Sequence, residues 1–180
     1  MRRLDRADAV PGWMTGAELA WLEKAATGRK LVIELGSWCG RSSVALTAAE
    51  RLVCVDNWVG SPNCAEGAVD WTAVRRRFEE TLAPEITAGT VEMLVGELSD
   101  PGFCERLVSL FPAAADMVFV DASHEYQDVA RDIATARRLL VPGGLLCGHD
   151  YCAAWLGVVR AVDECRATVG RGPDSIWYCA

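Results

Sequence analysis

Leu31-Val-Ile-Glu-Leu-Gly-Ser-Trp-Cys-Gly-Arg-Ser-Ser43 decides the fold: a short apolar run ends at a glycine, a second glycine follows at position 40, and residues 41–50 are rich in helix formers. Strand, tight loop, helix is the unit from which open parallel sheets are wound. Downstream it recurs as Leu52-Val-Cys-Val55, a Gly/Pro/Asn loop through Gly67, and a helix over 70–82 ending before Pro84. Further strands are expected at 91–95, 116–120 and 144–147, with helices around 102–111 and 126–140, a final helix near 157–169 and a last strand at 175–179. Within 126–140, Val129, Ile133, Ala136 and Leu140 recur at helical spacing, which leaves Arg131, Asp132 and Arg138 to solvent. Met117-Val-Phe-Val120 is apolar throughout, as a parallel strand covered on both faces must be. Upstream, Thr15-Gly-Ala-Glu18 is a capping box opening a helix to about Ala26, closed by Gly28, so residues 1–28 form a helical segment packed on the rest. The expectation is an α/β fold in a single domain over 1–180: a doubly wound, Rossmann-like three-layer sandwich with a mostly parallel sheet of six to seven strands.

The 180 residues are 51% apolar and 24% charged, well inside the range of folded globular chains. Eighteen Lys and Arg against twenty-five Asp and Glu give a net charge of −7, which argues against a nucleic-acid partner, because phosphate backbones are held by clustered positive charge. Arg75-Arg76-Arg77 reads as a solvated helix face. Residues 1–8 have no apolar run behind them, so neither a secretory signal nor a membrane span is expected, and the location expected is cytoplasmic. The eight cysteines are scattered without a CxxC pair and read as reduced, mostly buried thiols; with only His124 and His149 beside them, a zinc site has little support. Of the tryptophans, Trp38 and Trp58 are placed to line a ligand pocket, whereas Trp13, Trp21 and Trp155 are expected to pack helices.

Ligands of open parallel sheets bind beyond the carboxyl ends of the strands. Gly36 and Gly40 are three residues apart, which is not the GxGxxG of dinucleotide folds, and Glu34 just before them would repel a pyrophosphate. Such a carboxylate suits an ammonium or sulfonium ligand instead. Asp56 ends the second strand, where a carboxylate can accept both hydroxyls of a ribose; a nucleoside is implied.

Glu34-x-Gly36-x-x-x-Gly40-x-Ser42, with Asp56 after the second strand and Pro142-Gly-Gly144 before the fifth, resembles the class I S-adenosylmethionine-dependent methyltransferases. Within that group, residues 32–42 are similar to the first motif of catechol-type O-methyltransferases, and Asp121-x-x-His124 with Gly148-His-Asp-Tyr151 resembles small bacterial sugar and antibiotic O-methyltransferases. The likeness spans residues 15–165. It implies S-adenosylmethionine as cofactor, with Gly36 and Gly40 against the methionyl part, Ser42 on its carboxylate, Asp56 on the ribose, and Gly96, Glu97 and Leu98 along the adenine. Glu34, Trp38, Asn57 and Asp121 are counted with them as cofactor-lining positions.

Asp121 and Asp150 end adjacent strands, and two carboxylates with a histidine nearby make a hard site for Mg²⁺ or Mn²⁺. In the catechol-type enzymes the residue three after the first aspartate is a lysine base; here it is His124, whose imidazole serves as a base at neutral pH. Tyr151 stands where those enzymes have an asparagine ligand, so His149 is the candidate third ligand, or a side chain hydrogen-bonded across the sheet end. The reaction expected is O-methylation of a small hydroxylated molecule, with Asp121, Asp150 and His124 catalytic. A non-catalytic S-adenosylmethionine-binding partner subunit is the alternative, and the glycine spacing disfavours an NAD-dependent oxidoreductase. About 30 residues precede the first strand and no long insertion follows the fourth or fifth, so a lid over the acceptor would come from a second subunit, which favours a homodimer.

Overall fold

The computed structural model describes residues 2–60, 69–165 and 168–179. Its strands are β1 (Leu31–Leu35), β2 (Arg51–Asp56), β3 (Val91–Val95), β4 (Ala115–Val120), β5 (Leu140–Gly148), β6 (Val169–Arg171) and β7 (Trp177–Cys179). They form one seven-stranded sheet in the order β3-β2-β1-β4-β5-β7-β6. The first five run parallel, while β7 is antiparallel to both β5 and β6. Strand order reverses between β1 and β4, the switch point at which a doubly wound sheet opens a crevice.

One face of the sheet carries α1 (Arg3–Asp8), α2 (Gly16–Ala26), α3 (Arg41–Leu46), α4 (Trp71–Thr81) and α5 (Ala83–Thr87); the other carries α6 (Pro101–Leu110), α7 (Tyr126–Leu139) and α8 (Leu156–Asp163). Side chains alternate along a strand. Leu31, Ile33 and Leu35 therefore pack toward α6 to α8, while Val32 packs toward α1 to α5. Glu34 shares the face of Val32 and is fully buried beneath α3.

Several element boundaries depart from the sequence reading, among them β5, which begins at Leu140 rather than at 144 and so takes Leu140 out of the helical stripe of α7. Helix α3 stops at Leu46 rather than at 50, because the Thr47 hydroxyl bonds back to the Val44 carbonyl and the Glu50 N–H is taken by the Arg29 carbonyl. Helix α8 stops at Asp163, and Val169, expected at its end, belongs to β6 and pairs with Cys179 of β7. Pro84, which closes the preceding helix, sits in the first turn of α5, where a missing N–H costs nothing. The stretch 61–68, with Cys64 and the expected loop to Gly67, lies outside the described residues. The seven described cysteines are unpaired thiols.

Asp132 corrects the expectation of a solvated residue: it is 1% exposed. At 100° per residue its position falls between Leu139 and Ala136, both buried, and so inside the apolar stripe rather than beside it. Its Oδ1 is the buried side-chain oxygen left without a hydrogen-bond partner among the described residues. Burial, reinforced by the neighbouring Asp128 charge, pushes its carboxyl up to about 7. No helix among the described residues is long and apolar enough to cross a membrane.

Candidate active site

The loops beyond β1, β2, β4 and β5 converge because the strand ends are stitched together. The Gly36 N–H donates to the Val55 carbonyl and the Asp121 N–H to the Leu35 carbonyl, both at 2.8 Å. Gly36 has φ +90°, and a Cβ there would stand 2.2 Å from the Asp121 carbonyl oxygen, so only glycine lets the two loops approach.

Asp56 holds the glycine loop. Its Oδ2 accepts the N–H groups of Ser37 and Trp38, each at 2.9 Å, and its Oδ1 accepts the Trp58 N–H at 2.7 Å. Three of the roughly four acceptor sites of a carboxylate are thus used within the chain, leaving limited capacity for a ribose hydroxyl. Trp38 takes the left-handed conformation at φ 44°, and the 67% exposed Trp13 lies against its ring with centroids 4.6 Å apart. Asn57 Nδ2 donates to Glu97 Oε2 at 2.8 Å, tying the β2 loop to the loop that contains Gly96. Leu98 is buried in the core cluster with Leu35, Val55 and Val120, and so is a packing residue beneath that loop.

Several expected site residues face elsewhere. Glu34 does not meet a ligand: it is enclosed, and Ser37, Ser42 and Ser43 all donate hydroxyl hydrogen bonds to it. Burial pushes its carboxyl up to about 7 against the opposing effect of those hydroxyls, so it acts as a strut for the glycine loop. The reason was present in the strand period, since the residue after Ile33 points to the same side as Val32. Ser42 is corrected with it, because its hydroxyl is committed to Glu34 at 2.6 Å rather than to a ligand carboxylate. Trp58 is 3% exposed, packs on Phe78 and donates its indole N–H to the Trp38 carbonyl; it supports the loop from below instead of lining a pocket. Trp155, expected to pack helices, is 40% exposed and stacked on the His124 ring at 3.7 Å and 12°.

At the ends of β4 and β5, Asp121, His149 and Asp150 each turn a ligand atom to one point, all within 4.8 Å of one another. His149 Nδ1 lies 3.2 Å from Asp150 Oδ1 and 3.6 Å from Asp121 Oδ1. The other oxygen of Asp150, Oδ2, is 2.8 Å from His124 Nε2. Asp150 is left-handed at φ 64°, a strained posture typical of functional positions. Gly157 at the start of α8 comes so close that a Cβ would meet the His124 carbonyl oxygen at 2.3 Å, which seats the His124 loop against that helix. Burial raises the Asp121 carboxyl. For Asp150, burial also acts upward, but the hydrogen bonds of His124 and His149 prevail and hold it well below the usual range. Burial opposes charge on His149 too, yet hydrogen bonds with Asp121, Asp150 and Glu18 push its imidazole up to about 12. Tyr151 is no ligand, since its hydroxyl donates to Asp163 Oδ1 at 2.6 Å.

Sequence reasoning missed Glu18 and Ser175. Glu18 read as a helix cap, yet it is 2% exposed and its Oε1 sits 3.1 Å from His149 Nε2. Ser175 donates both its N–H and its hydroxyl to that same oxygen, while its own hydroxyl oxygen accepts the Asp150 N–H. No local sequence signal marks either contact, because 131 residues separate Glu18 from His149.

The family model described as a methyltransferase domain matches residues 33–151. Comparison with curated proteins finds no match. Among solved structures, cofactor-bound Rv0187 from MTB is 20% identical, covers 98% of this chain and 86% of its own, and superposes with a TM-score of 0.66. An O-methyltransferase from Bacillus cereus in complex with SAH is 15% identical over 99% of this chain and 90% of its own, with a TM-score of 0.66. CalS11, a calicheamicin methyltransferase, is 14% identical over 90% of this chain and 76% of its own, again at 0.66. At these identities the structural likenesses establish the fold.

Proposed function

This chain belongs to the methyltransferase domain family and is an S-adenosylmethionine-dependent methyltransferase; from that premise we propose that it methylates a hydroxyl oxygen of a small molecule with the help of a divalent cation. The convergence of Asp121, His149 and Asp150 beside His124, at the ends of strands next to the glycine turn, carries this reading. The solved O-methyltransferase of Bacillus cereus, with SAH bound on the same fold, supports it.

The residues suit both guests. S-adenosylmethionine is cationic, and Asp56, Glu97, Asp121 and Asp150 surround the loops that would hold it, in a chain of net charge −7. Gly36, Trp38 and Gly40 would form the turn against its methionyl part, the remaining acceptor position of Asp56 together with Asn57 would meet the ribose, and Gly96 and Glu97 would border the adenine. Two carboxylate oxygens and one imidazole nitrogen suit Mn²⁺ or Mg²⁺. Bound there, the cation would supply Lewis-acid polarisation of the acceptor oxygen, lowering the pKa of its hydroxyl. His124 takes the proton. Its Nε2 hydrogen is directed at Asp150 Oδ2, which leaves the Nδ1 lone pair free to accept, and the Trp155 ring holds the imidazole plane. Asp150 serves as orienter of the base through one oxygen and as ligand through the other. Once the acceptor is deprotonated and in line with the sulfonium methyl group, methyl transfer requires little besides alignment.

The test is calorimetric titration with S-adenosylhomocysteine, with and without Mg²⁺ or Mn²⁺, on the parent and on Asp121→Ala and Asp150→Ala, followed by turnover of a panel of small hydroxylated molecules. Nucleoside binding with cation-dependent methyl transfer, lost in both variants, is the expected outcome. Cation-independent transfer would remove the metal and leave the methyltransferase; nucleoside binding without transfer to any hydroxyl would favour a non-catalytic subunit.

A further inference from the structure

The His149 imidazole turns each nitrogen to a different acidic set, and this determines which nitrogen a cation could take. On the Nε2 side stands Glu18, whose carboxylate is enclosed and can only accept hydrogen bonds while ionised. Its Oε1 takes the Ser175 N–H at 3.0 Å, the Ser175 hydroxyl at 2.9 Å and His149 Nε2 at 3.1 Å, while Oε2 takes the Thr15 N–H at 2.8 Å. The Thr15 and Ser175 groups are donors, and an ionised carboxylate offers the imidazole nitrogen nothing to accept. Nε2 must therefore carry a hydrogen whatever the charge of the ring, and Nδ1, aimed between Asp121 Oδ1 and Asp150 Oδ1, is the nitrogen whose proton a cation would displace.

We propose that Glu18, on the N-terminal helix α2, is the positioning residue of the cation site: by accepting the Nε2 hydrogen it fixes the tautomer and ring angle of His149 and so presents Nδ1 to the metal. The inference rests on the divalent-cation reading above. Carboxylate, imidazole and metal in a row is a recurrent arrangement in which the outer carboxylate both orients the ring and raises its basicity. The capping box makes it possible here. Thr15 and Glu18 satisfy each other's backbone N–H groups, the Thr15 hydroxyl accepting the Glu18 N–H at 3.2 Å, and this holds the glutamate with one oxygen on the helix start and the other on His149. The Ser175 hydroxyl links the same carboxylate to the Asp150 backbone N–H, so two of the three ligand-bearing positions depend on Glu18.

The experiment counts free Mn²⁺ by electron paramagnetic resonance in titrations of the parent, Glu18→Gln and Thr15→Ala, with S-adenosylhomocysteine affinity measured calorimetrically on all three. Loss of an outer-shell partner typically weakens metal binding about 10- to 100-fold, and Glu18→Gln is expected in that range with nucleoside affinity unchanged. Thr15→Ala removes a cap from the same helix but leaves the His149 contact, so its melting temperature should fall while its Mn²⁺ affinity stays that of the parent. Parent-like Mn²⁺ binding by Glu18→Gln overturns the role of Glu18 alone. A parent that binds the nucleoside but retains no Mn²⁺ overturns the cation reading and this inference together. Should Glu18→Gln fail to fold, ¹⁵N spectra of the two histidines in the parent decide: the His149 Nε2 resonance should remain protonated while Nδ1 moves as Mg²⁺ is added. Loss of the Nε2 hydrogen, or metal at Nε2, refutes it.

Discussion

Asp132→Asn should stabilise the protein at and above neutral pH, and its effect should become more favourable as pH rises. Asp132 is 1% exposed, and its Oδ1 lacks a hydrogen-bond partner among the described residues. Burial and the Asp128 charge move its carboxyl from the ordinary 3.8 to about 7. Between those two values the folded chain keeps a proton that the unfolded chain has released, so stability falls as pH rises through the window, at about 1.4 kcal/mol per pH unit. Above pH 7 the penalty levels off at roughly 4 kcal/mol by this linkage. Asparagine carries no charge, so between pH 4 and pH 8 the variant should gain roughly 4 kcal/mol on the parent, offset at every pH by about 1–3 kcal/mol for whatever its buried amide leaves unpaired, which leaves a net gain of about 2 kcal/mol at pH 8. Glu34 titrates in the same window but does so in both proteins, and cancels in the difference. Urea unfolding at pH 4, 5, 6, 7 and 8 measures it; with a slope of about 2 kcal/mol per molar, the midpoint at pH 8 should rise by roughly 1 M. A difference that stays flat from pH 4 to 8 would mean that Asp132 is ionised and compensated in the fold, and the reasoning would fail.

Glu34→Gln should be nearly neutral at pH 6, where the native carboxyl is largely protonated, whereas Glu34→Ala leaves three hydroxyls without their acceptor and should cost about 2–4 kcal/mol in urea unfolding. Gly36→Ala, with a Cβ 2.2 Å from a carbonyl oxygen at φ +90°, should lower stability by a few kcal/mol or abolish soluble protein, read by thermal melts. His124→Ala should reduce kcat by about 100- to 10,000-fold with S-adenosylhomocysteine affinity intact; an unchanged kcat would remove it as the base. Chelation should abolish turnover, and added Mn²⁺ or Mg²⁺ should restore it, as followed by methylated product.

The sheet was legible because its parallel strands are mainly apolar; β1, with the glycine turn behind it, needed no more than local pattern. The ends of α3 and α8 were not, because the Glu50 N–H and the strand at Val169 answer to partners far away in sequence. Within the site, the meeting of Asp121 with Asp150 followed from adjacent parallel strands ending together. The inward turn of Glu34 is written in strand alternation, which places a charged residue by the same period as an apolar one. The helical angle of Asp132 carried the same lesson. Glu18, Ser175 and the stack of Trp155 on His124 arise from tertiary packing between distant segments, which no window of sequence contains.

Asp150 sends its two oxygens in opposite directions, one toward His149 and the other toward His124. A single side chain is thereby shared between grip and proton traffic, and any replacement there damages both at once. Its loss consequently reports on the two tasks together; separating them genetically requires working from the flanks, with Asp121 for the first and His124 for the second, and the combined variant should lose no more than the more damaging of the two if they act as one unit.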